Sequence, residues 1–399
     1  MTATRGTFPV ERDPACPLDP APGYRELPER VSSVSCPIGV DAWVLTKHED
    51  IRAALADRRL SSRGAPSNHV VAGADPNEPV APGVLLRLDG AEHSRLRKLL
   101  IPEFTVRRVE ALRPAIARLV DEHIDAMLAS TEPVDLYRDF ALPVPSLVIC
   151  ELLGVPYADR DSFEKQSALL VGVDGDPEAF AGAAMQVQQF MAQLVLSKME
   201  SPTDDLLGRL IQRGAEAGAN LTVEELVSLG ITLLVAGHET TANMIALSTL
   251  TLLRRPEQLA SLRSDPDLAP GAAEELLRYL SIVHFGLFRY ATEDVEIGEE
   301  TIRAGEWLVA ALSAGNREES VFPDSDTLDL TRNARSHLAF GHGVHQCLGQ
   351  QLARVELQEV FTRLYSRIPG LRLAVPFEEI KFKHDALVYG VRSLPVAWD

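Results

Sequence analysis

FGHGVHQCLG (Phe340–Gly349) sets one cysteine among three glycines, and LGQQLARVELQEVFTRL runs on from it with helical periodicity. Glycines allow positive φ and a close approach of backbone to a flat ligand. The periodicity predicts a helix starting at Cys347 and ending near Arg367, before Pro369 and Gly370. A helix start offers unpaired N–H groups and the positive end of the dipole, which favour thiolate over thiol. A thiolate of this kind is one of the ligands haem iron takes for O–O cleavage. Two other readings compete at this point. Cys347 could be a buried structural cysteine, or it could join His342 and His345 in a zinc site, although no fourth ligand stands at motif spacing.

A second stretch, LTVEELVSLGITLLVAGHETTANMIALSTLTLLRRP (Leu221–Pro256), reads as one long helix. Thr222 and Glu225 form a capping box, with Leu221 and Leu226 spaced as a hydrophobic staple, and Pro256 marks the end. About 33 residues at 1.5 Å each give about 50 Å. The middle is apolar on every side, so the helix should be buried. Yet it carries Gly237, His238, Glu239, Thr240 and Thr241. A threonine hydroxyl bonding back to an earlier carbonyl bends a helix. A carboxylate beside a hydroxyl can also relay protons into a dry pocket. By itself the cluster is equally readable as a polar kink without chemistry.

GAAEELLRYL holds Glu275 and Arg278 three apart on one helical face, a pair that alone says little because most such pairs are solvated. His93 and Arg97, four apart in LDGAEHSRLRKLL, could equally be a surface face.

Taken together and in this order, these motifs resemble those of the cytochrome P450 family. Phe340-x-x-Gly343-x-His345-x-Cys347-x-Gly349 is similar to its haem-binding signature, Ala236 to Thr241 to its oxygen-activation motif, and Glu275-x-x-Arg278 to its ExxR pair. The resemblance runs from about Ala42 to the C-terminus, and is closest to bacterial members that modify secondary metabolites and xenobiotics. It implies a mainly α fold with small β-sheets, a triangular helical prism around haem b, as a single domain over residues 1–399. Cys347 would be the axial ligand, with Phe340, Gly341 and Gly349 framing it and Ala236 and Gly237 against the haem. His93, Arg97, Arg289 and His345 would meet the propionates. Thr240 would hydrogen-bond the oxygen and Glu239 would deliver protons. Glu275 and Arg278 would form a structural network with Arg332. His238 stands at the family's variable position and is given packing or solvent contact only. Asn316-Arg317-Glu318 departs slightly from the Asn-Arg-Asp frequent among relatives.

The implied activity is O2-dependent hydroxylation or epoxidation of a bulky apolar molecule, such as a macrolide, peptide or terpenoid. Oxidation of xenobiotics, C–C coupling, peroxide-driven chemistry and a non-catalytic haem-thiolate sensor are the alternatives. The substrate walls would come from Val84 and Leu85, from Leu233, Val235 and Ala236, from Val283, His284, Phe285 and Leu287, and from Val388. No GxGxxG fingerprint is visible, so electrons are expected from a separate ferredoxin and its reductase. These would dock on a basic patch drawn from Arg95, Lys98, Arg332, Arg335 and Arg354.

Composition agrees. The chain of 399 residues is 46% hydrophobic with net charge −18, which disfavours nucleic acid and anionic membrane as partners. Its four cysteines match no disulfide scaffold or zinc finger, and the first twenty residues carry no signal-peptide core. A cytoplasmic monomer without a membrane anchor is the expectation. Residues 1 to about 40 read as an irregular lead-in, and about 61–83 as a long Pro/Gly loop. Residues 91–253 read as mostly helix, and 288–311 as strands turning at Gly298. The loop, together with 165–190 around Gly172, Gly175 and Gly182, is expected to move and admit substrate.

Overall fold

Helices dominate, at α1 (Gly23–Glu26), α2 (His48–Ala56), α3 (Gly90–Leu100), α4 (Val106–Leu128), α5 (Pro143–Leu153) and α6 (Pro177–Glu200). They continue with α7 (Leu206–Glu216), α8 (Val223–Leu253), α9 (Pro256–Ser264), α10 (Ala269–Leu280), α11 (Leu312–Gly315) and α12 (Gln350–Arg367). The computed structural model describes every residue except 1–5, 9–10, 28–29, 36–40, 64–76, 78, 131–132, 161–176, 220 and 385. Most of the predicted Pro/Gly loop, and Gly172 and Gly175, lie outside the described residues. Gly182 lies within α6.

The chain divides into two compact units, each assembled from segments far apart in sequence. The first comprises residues 1–79, 247–348 and 381–392. Its framework is a six-stranded sheet ordered β1 (Gly6–Thr7), β2 (Val31–Ser35), β3 (Asp41–Leu45), β9 (Trp307–Ala310), β6 (Leu287–Ala291) and β4 (Leu60–Ser61). The lead-in is therefore less irregular than its sequence suggests, since β2 pairs antiparallel with β3 along its full length. VSSVS is short and half polar, a weak strand signal that pairing overrides. The predicted strands at 288–311 are β6, the hairpin of β7 (Val295–Ile297) and β8 (Glu300–Ile302), and β9, with Gly298 at φ +62° in the turn.

The second unit comprises residues 80–246, 349–380 and 393–399. It holds α3 to α7, most of α8, α12, and a small sheet ordered β10 (Arg372–Leu373), β11 (Pro395–Ala397) and β5 (Val134–Asp135). α4 packs along α12, and ion pairs from Arg113 to Glu359 (2.8 Å) and from Arg367 to Asp121 (3.1 Å) line that contact. Gly154 caps α5 in the left-handed conformation, and Gly218 has φ +62° after α7. No helix among the described residues is long and apolar enough to cross a membrane.

Candidate functional site

In the first unit, the cysteine loop is held from behind by α2. Gly343 has φ +74°, and a Cβ there would stand 2.2 Å from the Leu55 carbonyl oxygen, so only glycine fits. The Cys347 N–H donates to the Phe340 carbonyl at 2.8 Å, closing the loop, and Gly341 takes φ +66°. Phe340's ring lies 5.4 Å from that of His337. His345 Nε2 meets Ser62 Oγ at 3.3 Å. Cys347 is exposed and outside any disulfide, and nothing lies within 4 Å of where a Gly349 Cβ would be. An open thiol on a glycine-framed loop suits a flat ligand bound through sulfur. The zinc reading fails here: among the described residues no three His, Cys, Asp or Glu side chains gather to hold a metal ion. One detail is corrected. The helix begins at Gln350 with Gly349 as its cap, three residues beyond Cys347.

Arg289, on β6, is buried, and its Nη1 donates to the Phe288 carbonyl at 2.7 Å. The Glu275–Arg278 pair is wholly buried and bidentate, at 2.7 and 2.8 Å. Arg278 Nη1 also donates to the carbonyls of Asn316 and Ser325, both at 2.8 Å. Arg332 Nε joins at 3.2 Å from Glu275. Arg332 is thereby spent. It also donates to three carbonyls of the 323–327 segment and does not belong among docking candidates.

In the second unit, α8 presents the acid–alcohol motif. The capping box forms in both directions: Thr222 N–H to Glu225 Oε2 (2.9 Å), and Glu225 N–H to Thr222 Oγ1 (3.1 Å). From Thr241 to Leu252 every residue is buried. One turn earlier the helix opens. Across 231–240 only Leu234 and His238 are buried; Ala236 is exposed, and Leu233, Gly237 and Thr240, half-buried, share its side of the helix at i, i+3, i+4 and i+7. Thr240 Oγ1 donates to the Ala236 carbonyl at 2.6 Å. His238 is fully buried, so packing, not solvent, explains it. Val235 sits about 150° round the helix from the centre of that side and does not share it.

Glu239 turns toward a residue the sequence did not single out. Tyr137 is buried in a π-helical turn (Tyr137–Ala141), and its phenol is pushed up, first by burial and then by the negative charge of Glu239. Only the fold makes them neighbours, so no local signal could have found Tyr137. His93 is buried and Arg97 half-buried, both on α3.

The remaining wall residues divide by exposure. Val84, Val283, Leu287 and Val388 are half-buried. Leu85, His284 and Phe285 are buried at 5%, 4% and 3% exposure, so they back the walls and do not face open space. In Phe285's case the reason is a core cluster with Phe8, Tyr24 and Phe288.

Comparison with known proteins follows the same line. The cytochrome P450 family model matches residues 267–368. Cytochrome P450-SU2 of Streptomyces griseolus is 48% identical over 395 residues, covering 98% of this chain and 97% of that protein. Pentalenic acid synthase of Streptomyces avermitilis is likewise 48% identical, over 396 residues, with the same coverage of each. The crystal structure of CYP105P1 in complex with filipin I has a TM-score of 0.89 at 43% identity, covering 99% of both chains. With identity of this degree along nearly its whole length, the chain belongs to the cytochrome P450 family of haem b monooxygenases.

Proposed function

We propose that this monooxygenase oxidises a bulky, mostly apolar small molecule of the secondary-metabolite type, by hydroxylation or epoxidation. The carrying observation is the side of α8 shared by exposed Ala236 with Leu233, Gly237 and Thr240, on a helix whose following residues, Thr241 to Leu252, are all buried. An apolar face with one hydroxyl is what a pocket for such a ligand needs. The relatives lend support: one is named for making pentalenic acid, and another was crystallised with filipin I.

When bound, haem b supplies the redox chemistry that activates O2. The protein's part is assigned residue by residue. Cys347 Sγ would hold the haem iron. His345 and Arg289, and likewise His93 and Arg97, would neutralise the charge of the haem propionates. Thr240 Oγ1 is a donor on the reacting side, and the Glu239 carboxylate passes protons inward, with Tyr137 shaping its surroundings. Ferredoxin and its reductase supply the electrons. Arg95 pairs with Glu225, so exposed Lys98 and Arg335 and half-buried Arg354 are the candidates left for docking. The protein works in the cytoplasm.

A Soret spin-shift screen of the haem-loaded protein tests the substrate class. Neutral macrolides, cyclic peptides, terpenoids or steroids should give the high-spin shift. A shift confined to small charged aromatics would sink the proposal.

A further inference from the structure

The N-terminal segment carries a buried cation. Arg12 is 3% exposed. Its Nη1 donates to the Asp19 carbonyl at 3.1 Å and its Nε to His284 Nδ1 at 3.4 Å. Its guanidinium lies 3.9 Å over the ring of Tyr389. Burial lowers its pKa to about 10, against the opposing pull of Tyr389, Tyr24 and Asp19. A guanidinium taken this far out of water is costly unless its contacts repay it.

Those contacts reach two segments that pair with each other. Tyr389 N–H donates to the Ile282 carbonyl and His284 N–H to the Leu387 carbonyl, each at 2.8 Å, and Val283 faces Val388 across the antiparallel bridge. Residues opposite one another in such a pair share a face, and successive residues alternate. Val283 and Val388 therefore occupy one face, while Ile282, His284, Leu387 and Tyr389 occupy the other. The valine face is half-exposed. Behind it, the rings of His284 and Tyr389 lie 5.1 Å apart and Tyr389 stacks on Phe382 at 5.7 Å, with Arg12 across His284 and Tyr389.

We propose that Arg12 is a positioning residue for ligand selection, fixing through His284 and Tyr389 the wall formed by Val283 and Val388. The inference rests on the reading of that wall as part of the substrate pocket. Lysine should not replace Arg12, because an ammonium lacks the planar fork that reaches His284 and Asp19 while lying flat on Tyr389.

The test is optical titration of the haem-loaded full chain with imidazole, which reads access to the iron, and 4-phenylimidazole, which also reads the walls. Arg12→Met and Arg12→Lys should keep the thiolate-type reduced-CO band and hold imidazole affinity within about twofold, yet weaken 4-phenylimidazole about fivefold. Simple loss of stability would move the two ligands together. Val388→Ala is the control for the wall. If Val388→Ala leaves 4-phenylimidazole untouched, the pocket reading falls and the inference with it. If Val388→Ala changes 4-phenylimidazole binding while Arg12→Lys discriminates like the wild type, the inference alone is overturned. Should Arg12→Met fail to yield haem-loaded protein, Arg12→Lys decides by the same ratio.

Discussion

Cys347 is an exposed thiol on a closed, glycine-framed loop, whereas Cys150 is buried inside α5 and Cys16 lies in an exposed turn. Among the described cysteines only Cys347 has the setting for a thiolate ligand. Cys347→Ala should therefore lose the thiolate-type reduced-CO band; its persistence would transfer the ligand role elsewhere. Thr240 poses a subtler case, because its hydroxyl already donates to the Ala236 carbonyl at 2.6 Å. A proton so placed is held at a fixed point and must be shared before it can serve on the reacting side. Thr240→Ala should keep haem and 4-phenylimidazole binding while product formed per NADPH falls about tenfold, with peroxide making up the difference. That is less than the roughly hundredfold contribution of a general acid, because water is a partial substitute. Unchanged coupling would reduce the hydroxyl to a helix-bending role. Both residues were legible in sequence because short motifs carry their chemistry. Arg12 and Tyr137 were not, since each matters through a partner at least a hundred residues away.

α8 shows where legibility stops at the scale of an element. Its capping box and its length follow from local sequence and stand in the structure, whereas the expected burial holds from Thr241 to Leu252 and fails over most of 231–240. Which side faces open space does not follow, because an apolar helix gives no stripe to read. Val235 looks as good a wall residue as Leu233 and is half-buried like it; only the helix period sets it on a different side from exposed Ala236. The start of α12 shows the same limit: periodicity continues back through Gly349 and Leu348, but Gly349 is the cap and the helix begins at Gln350. Leu233→Phe should change 4-phenylimidazole affinity by about tenfold, the scale of added bulk in a fitted apolar pocket. Val235→Phe, turned away from that side, should change it less than about twofold. Equal effects from the two would mean that the side shared by Leu233 and Ala236 is not the ligand-bearing face.

For the molecule as a whole, one buried acid sets a pH dependence that the motifs do not announce. Glu356, on α12, is 2% exposed, and its Oε2 has no hydrogen-bond partner among the described residues. Burial raises its pKa from the ordinary 4.5 to about 8. Between those values the folded chain keeps a proton there that the unfolded chain has released, so the folded state binds more protons and stability falls as pH rises. The contribution is full below about 4.5, declines through the interval and is lost above about 8. Glu356→Gln keeps the shape and removes the titration. Any cost of burying its amide is the same at every pH, so the difference in slope isolates the carboxyl from the many depressed surface acids, which are common to both proteins. Denaturant unfolding at pH 5 and pH 9 should show the variant gaining on the wild type by ~4 kcal/mol between the two. Parallel pH profiles for the two proteins would show that Glu356 ionises normally in the fold, and that water reaches the carboxyl.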